Sequence, residues 1–212
     1  MKIAIINYGA GNIKSIQFAL KRLGYEGILT SDEFEIRNAD YVIFPGVGEA
    51  SSAMRKLRES GLDTIIPTLT QPVLGICLGM QLLCTSSEEG NTKGLGIFNV
   101  NVVKFDTHQH VQDDTMKFKV PQIGWNTIGN LKGALFNTIS EKEYMYSVHS
   151  FYAPICKECI AETEYIVRYS AALQKDNFYG VQFHPEKSST IGETLLRNFL
   201  QLNSPFEGGK GV

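Results

Sequence analysis

The chain has 212 residues, 43% of them hydrophobic and 20% charged, and a formal net charge of −2 at pH 7. That is the make-up of one soluble globular domain large enough for a sizeable core; it offers no electrostatic case for nucleic acid or a membrane surface, and no apolar run approaches the roughly 18 residues of a spanning helix. Four cysteines make no disulfide framework at this length, and the amino terminus enters a short strand without a signal peptide's apolar stretch, so a reducing cytoplasm is the expected compartment.

Residues 2–7 read as a first strand, ending in the turn Gly9-Ala10-Gly11-Asn12. Ile13, Ile16, Phe18, Leu20 and Leu23 then recur at roughly helical spacing until Gly24 stops the run. Residues 41–44 form a buried strand closed by Pro45-Gly46-Val47-Gly48, a helix follows over 50–59, and Leu62, Ile65, Ile66 and Leu69 suggest another. Residues 73–76 are a strand that leads through Cys77 into the helix-compatible Met80-Gln81-Leu82-Leu83-Cys84, whose Cys84 is expected in the core. Such alternation predicts an α/β fold, a doubly wound, mostly parallel sheet with helices on both faces and active groups beyond the carboxyl ends of its strands. Both the 45–48 turn and Cys77 fall there.

After about Gly94 the pattern changes. Residues 100–105, 117–120, 125–128, 144–148, 166–169 and 178–183 are short β-type runs with no long helix between them, which predicts antiparallel or mixed pairing within or beside the same sheet. A last helix over 190–202 has a capping-box start in Thr190-Ile191-Gly192-Glu193, and the tail 204–212 is expected to fray. Neither a repeat nor a linker interrupts residues 1–203, which read as one domain.

The strongest chemical signal is Gly75-Ile76-Cys77-Leu78-Gly79, where a buried strand turns into a helix. A cysteine between two glycines at such a turn is the thiol counterpart of the Gly-x-Ser-x-Gly nucleophile elbow. The turn lifts the sulfur from the sheet, the glycines admit neighbouring backbone, and the helix start aims free N–H groups at a reacting thiolate. A nucleophile of this kind needs a base and the base an orienting acceptor. His184-Pro185-Glu186, directly after an apolar strand, places the two side by side. A lone His-x-Glu is weak, but paired with the elbow it is a strong constellation.

Other candidates carry less. Cys156-Lys157-Glu158-Cys159 has half the spacing of a zinc site and no second pair, so it reads as a loop with two free thiols, and no metal or cofactor is expected. His108 and His110 sit in a polar stretch over 107–115 and read as solvated. Gly9-Ala10-Gly11 is a lone Gly-x-Gly, weak evidence for a dinucleotide.

Residues Gly75-Ile76-Cys77-Leu78-Gly79-Met80-Gln81 and His184-Pro185-Glu186 together resemble the signatures of the class I, triad-type glutamine amidotransferases, a resemblance that covers nearly the whole chain. Within that family, Asn7-Tyr8-Gly9-Ala10-Gly11-Asn12, Pro45-Gly46-Val47-Gly48, Pro121-Gln122-Ile123-Gly124-Trp125-Asn126 and His184-Pro185-Glu186-Lys187-Ser188 are similar to the glutaminase subunits that serve imidazole glycerol phosphate synthesis. The resemblance implies a flavodoxin-like sheet and a glutaminase reaction. Cys77 would attack the glutamine amide, His184 would protonate the departing ammonia, and Glu186 would orient His184. It further implies an oxyanion hole from Leu78 and from Val47 or Gly48, a substrate site at Gly46, Gly48 and Gln81, and α-substituents held by the backbone at Ser150 and Phe151. His149 matches a recurring family position near that pocket and reads equally as a structural histidine.

The implied partner is a cyclase subunit with a (β/α)8 barrel, forming a heterodimer and receiving ammonia through an internal channel. Asn12, Trp125, Asn126, Tyr146 and Lys187 are its candidate contacts; Trp125 reads equally as core, and Lys187 also as a solvated charge. Two other readings stay open: a paralogue supplying ammonia for surface-sugar amidation or pyridoxal phosphate synthesis, and a non-catalytic regulatory module on the same fold. The two glycines at 46 and 48 also predict an oxyanion hole that forms only when the partner binds its ligand.

Overall fold

The computed structural model describes residues 1–9, 11–107 and 118–203. In chain order its elements are β1 (Ile3–Ile6), α1 (Ile13–Arg22), β2 (Gly27–Thr30), α2 (Glu33–Arg37), β3 (Tyr41–Gly46), α3 (Ala50–Glu59), α4 (Leu62–Ile65), β4 (Val73–Cys77) and α5 (Leu78–Leu83). There follow β5 (Cys84–Ser87), β6 (Thr92–Lys93), β7 (Phe98–Lys104), β8 (Gln122–Thr127), β9 (Tyr144–His149), β10 (Phe151–Tyr152), β11 (Cys159–Tyr165), β12 (Val167–Lys175), β13 (Phe178–Val181) and α6 (Ser189–Phe199). No helix among the described residues is long and apolar enough to cross a membrane.

Seven strands make the main sheet, in the order β11-β12-β13-β4-β3-β1-β2. The five from β13 to β2 run parallel, and β12 and β11 add an antiparallel edge. The order β2-β1-β3-β4-β13 is that of a flavodoxin-like doubly wound sheet. Its cause is visible along β1, where Ile3 and Ile5 enter one core layer and Ala4 and Ile6 the other. Side chains alternate across a strand, so a strand apolar at every position must be covered on both faces. Ile16 and Leu20 of α1 with Leu195 and Phe199 of α6 cover one face; Met54 and Leu57 of α3 with Leu62 of α4 cover the other. α1 ends in a Schellman arrangement: Gly24, at φ +86, donates to Lys21 O, and Tyr25 donates to Leu20 O.

Two smaller sheets flank the main one, β10-β7-β5-β6 and the β8–β9 ribbon. The β-rich second half therefore divides: β11, β12 and β13 join the main sheet, and the remaining strands stand beside it. β13 is parallel to β4, so the chain returns to the middle of the sheet before it ends.

Several expectations need correction. Cys84 is buried but opens β5 rather than ending the helix, because α5 stops at Leu83 where the chain turns into the second sheet. Residues 118–120 form no strand, while Lys117 lies outside the described residues. The capping box over 190–193 does not form: α6 starts at Ser189, its N-cap Ser188 makes no side-chain cap bond, and Glu193 pairs instead with Arg22. β2, α2 and β11 escape the periodicity altogether. The stretch around His108 and His110 and the tail 204–212 lie outside the described residues.

Candidate active site

β3, β4 and β13 are neighbours in the sheet, and the segments leaving their carboxyl ends converge at one edge. β4 delivers Cys77 at φ +53 and ψ −111, a conformation side chains rarely adopt and the mark of a sharp strand-to-helix elbow. Close packing holds it there. A methyl group on Gly79 would lie 1.9 Å from Phe44 O, and one on Gly46 would lie 2.5 Å from Gly79 N, so only glycines let α5 begin this close to β3. Cys77 Sγ receives Gln182 Nε2–H at 3.7 Å and lies 3.8 Å from Val148 O.

His184 follows β13, buried, with Nδ1 2.8 Å from Glu186 Oε1. The expected juxtaposition of the pair is thus present. Its backbone is tied on both sides: His184 N–H donates to Tyr146 O at 2.8 Å, and Ser188 Oγ donates to His184 O at 2.7 Å while accepting Tyr146 N–H at 2.9 Å. Burial alone would disfavour the charged imidazole. The Cys77 sulfur and the Glu186 carboxylate together outweigh it and push the His184 pKa up to about 10. Glu186 Oε2 is buried with no hydrogen-bond partner among the described residues, so the carboxylate's only bonded neighbour is the imidazole.

Cys77 and His184 open into a cavity of about 320 Å³, lined also by Val47, Gly48, Leu78, Gln81, Ser150, Phe151 and Lys187. Gly46 is not in its wall; it lies behind, packed on α5. Gln81 donates from Nε2 to Phe151 O at 3.0 Å and to Gln182 Oε1 at 2.9 Å. Both amide hydrogens are consumed by protein carbonyls, so it presents an acceptor to the cavity. Glu89 and Pro121 line it too, and the sequence singles out neither role. Glu89 Oε2 accepts Ala50 N–H at 2.8 Å, and burial raises its pKa against that bond, with Glu49 adding to the rise. In Glu88-Glu89-Gly90 it looks like ordinary surface charge.

Trp125 is 52% exposed, which removes it from the core. On the β8–β9 ribbon it stands opposite Tyr146, ring centroids 5.9 Å apart, and Lys187 Nζ lies 5.8 Å from the Tyr146 centroid. Ile123 and Tyr144 are exposed on the same ribbon. Asn126 donates to Glu164 O at 2.7 Å, and Asn12 stands half-buried at the start of α1. Cys156 and Cys159 are free thiols, and no group of three metal-binding side chains occurs among the described residues.

The family model for glutamine amidotransferase class-I matches residues 4–202. A protein of Bacteroides thetaiotaomicron named imidazole glycerol phosphate synthase subunit HisH is 54% identical over 202 residues, 95% of this chain and all of that one. A protein of the same name from Pectobacterium atrosepticum is 43% identical over 204 residues, again 95% of this chain and all of its own length. Among solved structures, PurLQS from Thermotoga maritima superposes with a TM-score of 0.66 at 16% identity, covering 94% of this chain and 97% of its own. A second Thermotoga maritima structure, a glutamine amidotransferase, gives 0.65 at 14% identity over 95% and 96%. At those identities the structural matches speak to fold alone.

Proposed function

The chain belongs to the class I glutamine amidotransferase family, and we propose that it is the glutaminase subunit of an imidazole glycerol phosphate synthase, with residues 1–203 as its working domain. One observation carries the chemistry. The thiol at the end of β4 shares a cavity with the imidazole after β13, whose other nitrogen is held 2.8 Å from a buried carboxylate.

In this reading Cys77 attacks the side-chain carbonyl carbon of glutamine. His184, charged at neutral pH, gives its Nε2 proton to the departing ammonia and leaves a glutamyl thioester. Water then attacks, losing its proton to His184, and releases glutamate while restoring the thiolate. Glu186 keeps the imidazole in the right plane and stabilises its charged form. The tetrahedral oxyanion needs donors, and Leu78 N–H at the start of α5 supplies one. Val47 or Gly48 N–H supplies the other; removing one such donor lowers turnover by about a hundred- to a thousandfold. Gln81 Oε1 meets the substrate amide, the carboxylate of Glu89 meets its ammonium, and the backbone at Ser150 and Phe151 meets its carboxylate.

The ammonia goes to a cyclase subunit, a (β/α)8 barrel joined by an internal channel. The ribbon face with Trp125, Tyr146 and Lys187, continuous with the cavity through Lys187, is its docking surface, flanked by Asn12 and Asn126. Co-purification with the cognate cyclase and a coupled glutaminase assay test this directly. Hydrolysis by the chain alone should be slow and rise strongly with the cyclase and its ligand, and Cys77→Ala should abolish it. Equal activity with and without partner would count against the docking model, and a silent wild-type complex against the enzyme itself.

A further inference from the structure

The carbonyl oxygen of Phe151 accepts two partly buried side-chain hydrogen bonds, from Gln81 Nε2 at 3.0 Å and from His149 Nδ1 at 2.8 Å. Phe105 N–H donates to Ser150 O at 3.0 Å, and Phe151 faces Lys104 across the β7–β10 pair. Residue 150 therefore takes a ladder position opposite 105, and Phe151 takes the next position, whose N–H and C=O both turn away from β7. On that side lies the cavity, which Ser150, Phe151, Gln81 and His149 all line. Phe151 N–H shares its peptide plane with Ser150 C=O, which Phe105 anchors, and the bonds to the Phe151 carbonyl hold the next peptide unit, so the N–H is fixed from both ends.

His149 is held for that task by its bond at Nδ1 and by the packing around its ring. It is 6% exposed, and its Nε2 lies 3.1 Å from the Tyr169 hydroxyl, itself 2.8 Å from Gln122 Oε1. Phe105 and Tyr169 pack on the ring at centroid distances of 5.4 and 5.5 Å. Burial holds its pKa down at about 4; the Phe151 bond works against this and His184 works with it. The ring is thus neutral at pH 7, and the proton it keeps faces the Phe151 carbonyl.

We propose that His149 is a positioning residue of the glutamine pocket: with Gln81 it clamps the Phe151 carbonyl and, together with the Phe105 bond to Ser150 O, holds Phe151 N–H towards the substrate's α-carboxylate. The inference rests on the glutaminase reading of the site. A histidine retained for packing alone would need its ring but not its Nδ1–H, and that difference is measurable.

The readouts are the Kd of glutamine on a Cys77→Ala background, by calorimetry, and the KM of the full complex with cyclase. His149→Gln loses the donor at the Nδ1 position, and His149→Phe keeps the ring without it; each should raise Kd and KM by about tenfold while kcat falls less than about threefold. His149→Asn, whose amide nitrogen can stand where Nδ1 stood, should recover most of the affinity although it fills the buried site worse than Phe. Wild-type affinity in His149→Gln or His149→Phe overturns the proposal, as does a loss that follows thermal stability and is not recovered by Asn. A wild-type complex that neither binds nor hydrolyses glutamine removes both this inference and the glutaminase reading. One that hydrolyses it, with the His149 variants unaffected, removes this inference alone.

Discussion

Cys77 and His184 stand on a wall of the cavity made by the central strands, whereas Val47 and Gly48 stand on a wall made by a turn, and the two walls are held very differently. On the first, the backbone of α5 touches that of β3 through Gly46 and Gly79, and His184 is bonded to β9 through Tyr146 and Ser188. On the second, Val47 is 41% exposed, and Gly48 sits at φ +95 with nothing within 4 Å of where a side chain would begin. The groups that make and break bonds are fixed in advance. Of the two donors proposed for the oxyanion, the one from Val47 or Gly48 lies in the part with room to move, and that is where a docked partner can act.

The largest expected effect lies on the fixed wall. Glu186→Gln keeps the shape but removes the charge that orients His184, and turnover should fall by up to about 10⁴-fold. The same pair leaves a mark on stability. His184 is raised from an ordinary 6.5 to about 10 in the fold, so its stabilisation is complete below pH 6.5 and is lost as pH rises towards 10. Denaturant titrations from pH 6 to 10 should show that decline in the wild type and a shallower one in Glu186→Gln. A decline of equal slope in both would show that the carboxylate does not hold the imidazolium.

Glycine substitutions compare the walls directly. Gly79→Ala drives a methyl into the Phe44 carbonyl, and should cost about 3 kcal/mol or more, lowering Tm by about 6–12 °C. Gly48→Ala meets open space and only its backbone is strained, so Tm should move by no more than about 4 °C. Its penalty should fall on partner-stimulated turnover, by about a hundredfold if the turn supplies an oxyanion donor. Calorimetry beside the coupled assay would decide, and the reverse pattern would break the comparison.

The smallest effect belongs to the ribbon. Trp125→Ala should change folding stability by no more than about 0.5 kcal/mol, since the ring is exposed, yet raise the cyclase concentration needed for half-maximal stimulation by about thirtyfold. An unchanged titration would move the docking surface elsewhere.

Much of the site is legible before folding because its residues obey local rules. Gly75 and Gly79 stand at the spacing an elbow demands, and His184 and Glu186 are close in sequence, so their pairing needs little from the rest of the chain. The alternating apolar runs at β1, β3 and β4 likewise declare buried parallel strands. β2 does not, since at the sheet edge Ile28 and Leu29 are both partly exposed and no period survives. Glu89 carries no signal either. It becomes a cavity residue only because the chain after α5 passes beside the start of α3, where Ala50 N–H meets it.

Residue order alone is enough to single out Cys77, His184 and Glu186 as candidate nucleophile, base and orienting acid, and to predict the doubly wound plan, because each is written in short-range spacing and apolar periodicity. Folding in three dimensions chose which distant segments share the cavity. It brought β13 back beside β4, set Gln81, Gln182 and His149 into one buried hydrogen-bonded cluster, and turned Trp125 outward. Those outcomes depend on strand order and on the need to satisfy every buried polar group at once, and no local window of residues encodes either.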